Sequence, residues 1–528
     1  MTSWRRTAIS LTIVPLLCAA AAAVVMTRRS ARDPALLATT DGLLRGRVFP
    51  DHRVFDAVPY AAPPVGDRRW QLPMPVAPWS GERDASRTAS PCTQTLPDGR
   101  LDPASSEDCL YLNVTTPYPV ASGEQLPVMV WFHGGAFSSG NGGQYNPRRL
   151  ATLGKVAVVT VDSRLGVLGY FGHPGLADSG TYGLADQQAA LRWVRANAAA
   201  FGADPRRVTV FGNSSGGANV CAHLVSPASA GLFHRAVIQS GSCRQQWPAD
   251  VMVPGSEPLS YWKPAGSVQR AGSAAAARLG CAGRDQLECL RATRPDRLMT
   301  VTGQFLTMAY GTPLIPQDPR EMVRRGRLNR VPVILGNTRD EHRYFGRLFD
   351  IDESQGARQY QRLLRTSFPG HAAEIAERYP LRDGAHAVEL AWAAVGTDSS
   401  WTCPTLESAT DLAHHVPTFT YEFADPHPPA DPLFPPGFPT GAPHGAEVAY
   451  LFDLGPGTVH LAAAQQRLSD RMITYWSTFA REGRPAAPSR WPPTTPGDVT
   501  ALQLRPDGDR PTDPGREHQC DLWRRLSR

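Results

Sequence analysis

The chain has 528 residues, of which 42% are hydrophobic and 19% charged. That is enough apolar material for a large buried core and too much for a mainly disordered chain. Its 47 glycines and 49 prolines follow no G-X-Y period, which excludes a collagen and leaves a globular fold with many loops. The formal charge of +6 is concentrated at the N-terminus: residues 1–32 hold Arg5, Arg6, Arg28, Arg29 and Arg32 and no acid, so the remainder carries about +1. A nearly neutral body has little net attraction for phosphate backbones, and no basic stripe with interleaved aromatics, P-loop, H-E-x-x-H or paired C-x-x-C spacing occurs. No nucleic-acid partner, metal or cofactor is expected.

In chain order, the first element is the uncharged stretch Ala8 to Met26, preceded by Arg5-Arg6 and followed by Arg28-Arg29. A basic head, an apolar run and small residues read as a secretory signal peptide. The length also suits a membrane anchor formed by residues 8–26. Residues 1–32 are therefore assigned to export or anchoring, and 33–528 to one large domain in a secreted or extracytoplasmic location. Short β-branched and apolar runs follow at Val128–Phe132, Val156–Val161, Val208–Phe211, Ala236–Ile238, Val331–Leu335 and Thr418–Phe423. Runs apolar on both faces predict strands of a parallel sheet covered by helices. Gly183–Ala200, with Leu184, Ala185, Ala189, Leu191 and Val194 on one face, predicts a helix between two of them. Strand, helix, strand is the βαβ unit, and its repetition predicts an α/β fold with a mostly parallel central sheet. The Pro- and Gly-rich stretches Pro426–Pro443 and Arg484–Gly508 read as surface loops.

Setting Cys18 aside leaves eight cysteines, an even number that suits an oxidising compartment; Cys92/Cys109 and Cys281/Cys289 are the local pairing candidates.

The sharpest motif is Gly212-Asn213-Ser214-Ser215-Gly216, set between the run Val208–Phe211 and the small-residue segment Ala218–Leu224. A turn this tight from strand to helix holds its serine strained and exposed above a helix N-terminus, whose dipole favours developing negative charge. Only Ser214 has glycine at both −2 and +2. After the run Val128–Phe132 comes His133-Gly134-Gly135-Ala136-Phe137, similar to the HGGG-type loop of lipases and esterases with Ala136 at the third glycine. It offers the N–H groups of Gly135 and Ala136 to an oxyanion, completed by Ser215. For a base, Gly441-Ala442-Pro443-His444-Gly445-Ala446-Glu447 puts His444 in a glycine-flanked turn after the last strand; for an orienting acid, Asp340 and Glu341 both follow Val331–Leu335.

These motifs sit among others that together resemble the type-B carboxylesterases, the family of cholinesterases and bacterial para-nitrobenzyl esterases. The likeness runs from about Asp41 to Arg524 and includes Val58-Pro59-Tyr60-Ala61-Ala62-Pro63-Pro64-Val65-Gly66, Glu107-Asp108-Cys109-Leu110-Tyr111-Leu112-Asn113-Val114, Gly183-Leu184-Ala185-Asp186-Gln187, Phe201-Gly202-Ala203-Asp204-Pro205 and Gly231-Leu232-Phe233-His234-Arg235-Ala236. The resemblance implies one α/β-hydrolase domain, a small-molecule ester substrate and a catalytic set of Ser214, Glu341 and His444, with Glu341 preferred to Asp340. It also implies disulfides Cys92–Cys109, Cys281–Cys289 and Cys403–Cys520, leaves Cys221 and Cys243 as a candidate fourth, and makes Arg69/Glu107 and Arg164/Asp186 structural ion pairs. The same fold carries a non-catalytic binding or adhesion role in some relatives, and the same triad serves lipase and amidase chemistry. Substrate choice is expected in Arg244–Gly280 and Gln304–Pro319.

Three departures stand out. Asn213 replaces the usual Glu before the nucleophile, which removes a negative charge from the field on His444 while keeping a hydrogen-bonding side chain. His342 replaces the usual Gly beside the acid, where it could compete for Glu341. The Cys92–Cys109 loop contains no Trp, so a cation–π site for quaternary ammonium is not supported.

Overall fold

The expected strands assemble into one sheet because both of their faces are apolar. A computed structural model describes residues 33–526 apart from Ser122, Arg284, Asp350, 456–458 and 487–490. The export or anchor segment, residues 1–32, lies outside the described residues. The central sheet has 11 strands: β1 (Arg47–Val48), β2 (His52–Pro59), β3 (Tyr111–Pro117), β4 (Leu126–Phe132), β5 (Ala157–Val161), β6 (Ala203–Asn213), β7 (Arg235–Gln239), β8 (Val333–Thr338), β9 (Thr418–Phe423), β10 (Ala501–Leu504) and β11 (Arg510–Thr512). Their spatial order is β11-β10-β9-β8-β7-β6-β4-β5-β3-β2-β1. Neighbours from β5 to β10 run parallel, while β11 at one edge and β3, β2 and β1 at the other are antiparallel.

Alternation along each strand divides the interior into two cores. On β4, Val128, Val130 and Phe132 enter one core, and Met129 and Trp131 enter the other. The first core is covered by α1 (Tyr182–Asn197) and α2 (Ser215–Val225), the second by a long helix, Ala463–Glu482, through Met472, Ile473, Trp476 and Phe479.

The chain order reverses beside β4: β5 lies on one side of it and β6 on the other. A doubly wound sheet opens its crevice at the carboxyl ends of strands at such a point. The glycine loop after β4 and the turn after β6 therefore leave adjacent strands, with Gly212 paired to Phe132. Parallel registers Asn213–Gln239, Gln239–Gly336 and Thr338–Phe423 carry the same edge outward to β9.

The sequence reading differs from the fold in three places. Val208–Phe211 is the centre of a longer strand that begins at Ala203. The antiparallel edge strands carry weaker apolar runs and were not expected. Arg484–Gly508 contains β10, fully buried, so that stretch is not wholly a surface loop; a four-residue strand among prolines and polar residues leaves little pattern to read.

Four disulfides form: Cys92–Cys109, Cys221–Cys243, Cys281–Cys289 and Cys403–Cys520. They point to an extracellular or secretory-pathway protein. No helix among the described residues is long and apolar enough to cross a membrane. Arg69 pairs with Glu107 at 2.5 Å and Arg164 with Asp186 at 2.7 Å, each pair largely buried.

Near the C-terminus, the buried His518 ring lies between Asp398 (2.6 Å) and Glu422 (2.8 Å). Burial favours the neutral ring, but the Asp398 charge, its hydrogen bond and Glu422 override it and hold His518 well above its ordinary pKa. Removing the cation leaves two buried carboxylates facing each other. His518→Ala is expected to cost about 3–5 kcal/mol in guanidinium unfolding at neutral pH.

Candidate active site

The turn after β6 closes only because two side chains are missing. A Cβ at Gly212 would lie 2.6 Å from the Gly216 carbonyl and from the Phe132 carbonyl oxygen, and one at Gly216 would lie 2.0 Å from that same oxygen. With those contacts free, α2 starts at once and Ser214 is left at φ 59°, ψ −126°, a strained conformation for a residue with a side chain. The Ser214 N–H donates to the Gln239 carbonyl at 2.9 Å, which pins the turn to β7. Asn213 and Ser215 are buried while Ser214 is partly exposed.

The loop after β4 packs on this turn. A Cβ at Gly134 would sit 3.2 Å from the Ser214 Cβ. Gly135, Ala136 and Phe137 all take positive φ, at 109°, 52° and 59°. Three successive positive φ values make this a tight turn, and turns are where successive backbone N–H groups form anion-binding concavities. The N–H groups of Gly135, Ala136 and Ser215 donate to no acceptor among the described residues.

Glu341 and His444 are brought together across 103 residues: His444 Nδ1 lies 2.5 Å from Glu341 Oε2, and Glu341 Oε1 accepts the Thr338 N–H at 2.9 Å. Glu341 is fully buried. Asp340, the other acid open to spacing, is used elsewhere: it accepts the Ala442 N–H at 2.9 Å and pairs with Arg343 at 2.7 Å. It thereby holds the turn that carries His444. Of the six residues singled out by sequence, Gly135, Ala136, Ser214 and Ser215 lie where the loop after β4 meets the turn after β6, Glu341 and His444 meet after β8, and the Asn213–Glu447 hydrogen bond links the two groups.

His342 does not compete for Glu341. Its Nε2 lies 2.8 Å from the Val251 carbonyl and its Nδ1 faces the Trp401 indole N–H at 3.4 Å, so both ring nitrogens bond to groups other than Glu341.

Several further groups complete the surroundings. The Asn213 amide donates to Glu447 Oε1 at 2.8 Å, and Gln239 donates to the same oxygen at 3.3 Å; Glu447 Oε2 has no hydrogen-bond partner among the described residues. Glu447 stands three residues after His444, so the turn motif did contain it, but nothing in the sequence marked it as buried. Burial, followed by the charge of Glu341, pushes its carboxyl up to about 7. The Tyr261 phenol faces the Ser214 hydroxyl and, chiefly through burial, is held above its usual range. Trp401 packs on His444 with ring centres 4.5 Å apart, and Phe345 does so at 5.0 Å. Among the described residues, no cluster of three His, Cys, Asp or Glu side chains has metal-binding geometry.

A model of the carboxylesterase family matches residues 33–523. The chain is 32% identical over 470 residues to cocaine esterase of Oryctolagus cuniculus, covering 83% of this chain and 85% of that one. It is 32% identical over 493 residues to para-nitrobenzyl esterase of Bacillus subtilis (strain 168), covering 87% and 92%. It is 33% identical over 485 residues to fumonisin B1 esterase of Sphingopyxis macrogoltabida, covering 87% and 85%.

A carboxyl raised from 4.5 to about 7 binds a proton in the folded state that the unfolded chain has already lost. Stability therefore falls as pH rises across that interval. Glu447→Gln keeps the oxygen that Asn213 and Gln239 donate to and removes the titration. Urea unfolding at pH 5 and pH 8 is expected to show a smaller loss in this variant than in the parent, by up to about 3 kcal/mol.

Proposed function

The chain belongs to the carboxylesterase family and is a carboxylic ester hydrolase, and from that premise we propose that it works through an acyl-enzyme formed on Ser214. The observation that carries this reading is the 2.5 Å contact between Glu341 and His444 beside the strained Ser214 turn.

In the proposed cycle His444 takes the Ser214 proton as the hydroxyl oxygen attacks the ester carbonyl carbon. Glu341 holds the proton on Nδ1 of His444, which leaves Nε2 free to accept, and it stabilises the imidazolium that follows. The tetrahedral oxyanion is received by the N–H groups of Gly135, Ala136 and Ser215, each worth about 2.7–4 kcal/mol. Their lack of another acceptor supports this role, because no bond has to be broken before they serve. His444 then protonates the leaving alkoxide, the alcohol departs, and water attacks the acyl-enzyme by the same steps to release the acid and restore Ser214.

Three relatives named for ester hydrolysis support a small-molecule carboxylic ester as the substrate. Residues 33–528 are read as a single hydrolase domain. Residues 1–32 are read as its export signal or retained anchor, in keeping with the four disulfides.

Ser214→Ala is expected to lose on the order of 10⁴ or more in kcat on a para-nitrophenyl ester. Glu341→Gln, which alters the hydrogen-bond role opposite Nδ1, is expected to lose about 10³–10⁴. A fluorophosphonate probe should label the parent on Ser214 and leave Ser214→Ala unlabelled. Ester turnover by Ser214→Ala at the parent's rate, or a parent that resists the probe, would refute the assignment.

A further inference from the structure

The imidazole of His342 has no part in the reaction above, yet the fold is shaped round it. It is fully buried beside Glu341. A Cβ on Gly396, in the helix Ala387–Thr397, would lie 2.3 Å from its ring, so that helix packs at this distance only with glycine there. The His342 N–H donates to Thr397 Oγ1 at 3.0 Å. Ring and backbone are thus both held by the same helix end.

The two ring nitrogens have different partners. A carbonyl oxygen only accepts, so Nε2, 2.8 Å from Val251 O, carries the proton. An indole nitrogen only donates, so Nδ1 accepts from Trp401. One neutral tautomer satisfies both. Burial supports it by pushing the imidazole down to about 4, so the ring stays uncharged at neutral pH.

What the two partners carry gives the contact its meaning. Trp401 lies on a wide helical turn, Asp398–Thr402, and is the ring nearest to His444. It also meets Trp247 edge-on at 5.4 Å, and Trp247 meets Tyr261 at 5.0 Å. Tyr261 faces the Ser214 hydroxyl and sets its ring edge against Phe137, in the glycine loop, at 5.6 Å. A belt of rings therefore runs from the base to the oxyanion loop. Val251 sits in the chain between Trp247 and Tyr261, fully buried.

We propose that His342 is a positioning residue for the hydrolase site: by joining Trp401 to Val251 it locks the wall behind His444 to the loop that carries Trp247 and Tyr261, and so sets both the aim of the base and the size of acyl group that reaches Ser214. The inference rests on the reading of Ser214 and His444 as nucleophile and base.

The test compares His342→Phe, which keeps a ring and loses both hydrogen bonds, with His342→Gln, which restores a donor for Val251. Both are assayed on para-nitrophenyl acetate and para-nitrophenyl butyrate. His342→Phe is expected to lower kcat on acetate about 10-fold with a smaller change in KM, and to raise the butyrate-to-acetate ratio of kcat/KM about 5-fold. His342→Gln should recover most of both effects. Trp401→Phe removes the same bond from its other end and should shift the acyl ratio in the same direction, with non-additive effects in the double variant. It also serves if His342→Phe does not fold. An acyl ratio unchanged in His342→Phe or Trp401→Phe, equal impairment of the Phe and Gln variants in step with their Tm, or full additivity would overturn the proposal. Fluorophosphonate labelling of the parent separates the two layers: a labelled, active parent with indifferent variants removes only the role of His342, whereas an unlabelled parent removes the parent reading and this one with it.

Discussion

The closest approach in the molecule on which the site depends is backbone to backbone. At Gly212 and Gly216 the turn after β6 comes so near the Phe132 carbonyl that no side chain fits between them. That contact does three things at once. It brings β4 and β6 into register at their carboxyl ends, it starts α2 at Ser215, and it holds Ser214 at positive φ and partly exposed. The strain of that conformation, of order 1–3 kcal/mol, persists only because strands on both sides over-determine it. The neighbouring glycine loop packs against the serine, and the N–H groups of Gly135 and Ala136 donate to no acceptor among the described residues.

Charge is managed as closely as shape. Glu341 and Glu447 are both fully buried near one imidazole. Two adjacent buried carboxylates repel, and the structure answers by giving them different partners. Glu341 meets His444 and a backbone N–H, while Glu447 meets only neutral amides, those of Asn213 and Gln239. The neutral Asn213 avoids adding a third carboxylate to this space. The proposed base is thus paired with one acid whose orientation is set by β8, and the second acid, Glu447, is held above the usual carboxyl range by burial and by the charge of Glu341.

Much of this was legible in the sequence, for physical reasons that differ by element. The parallel strands were readable because burial on both faces writes unbroken apolar runs such as Val128–Phe132. The Ser214 turn was readable because glycines at −2 and +2 are a steric necessity there. The preference for Glu341 over Asp340 was not readable from spacing, since both acids follow β8, and it rests on family resemblance; in the structure Glu341 meets His444 while Asp340 bonds to Ala442 and Arg343. His342 was misjudged because sequence adjacency to Glu341 says nothing of the direction in which a side chain leaves the backbone. Glu447, Tyr261 and Trp401 passed unnoticed for a related reason: their importance lies in contacts with residues far away in the chain, or in burial that no local pattern records. The strand Ala501–Leu504 was hidden by its prolines and polar neighbours.

The order in which the chain supplies these parts has its own consequence. The glycine loop comes from residues 134–136 and the serine from 214, but the acid stands at 341 and the imidazole at 444, in segments that follow β8 and β9, further along the same side of the sheet. In chain order the proposed nucleophile, Ser214, therefore precedes the proposed base, His444, by 230 residues. Cys403 must also await Cys520, eight residues from the end, before that late segment is tied down. The disulfide Cys403–Cys520 thus closes a loop that contains the turn bearing His444, so the covalent tie and the imidazole belong to the same late-arriving segment.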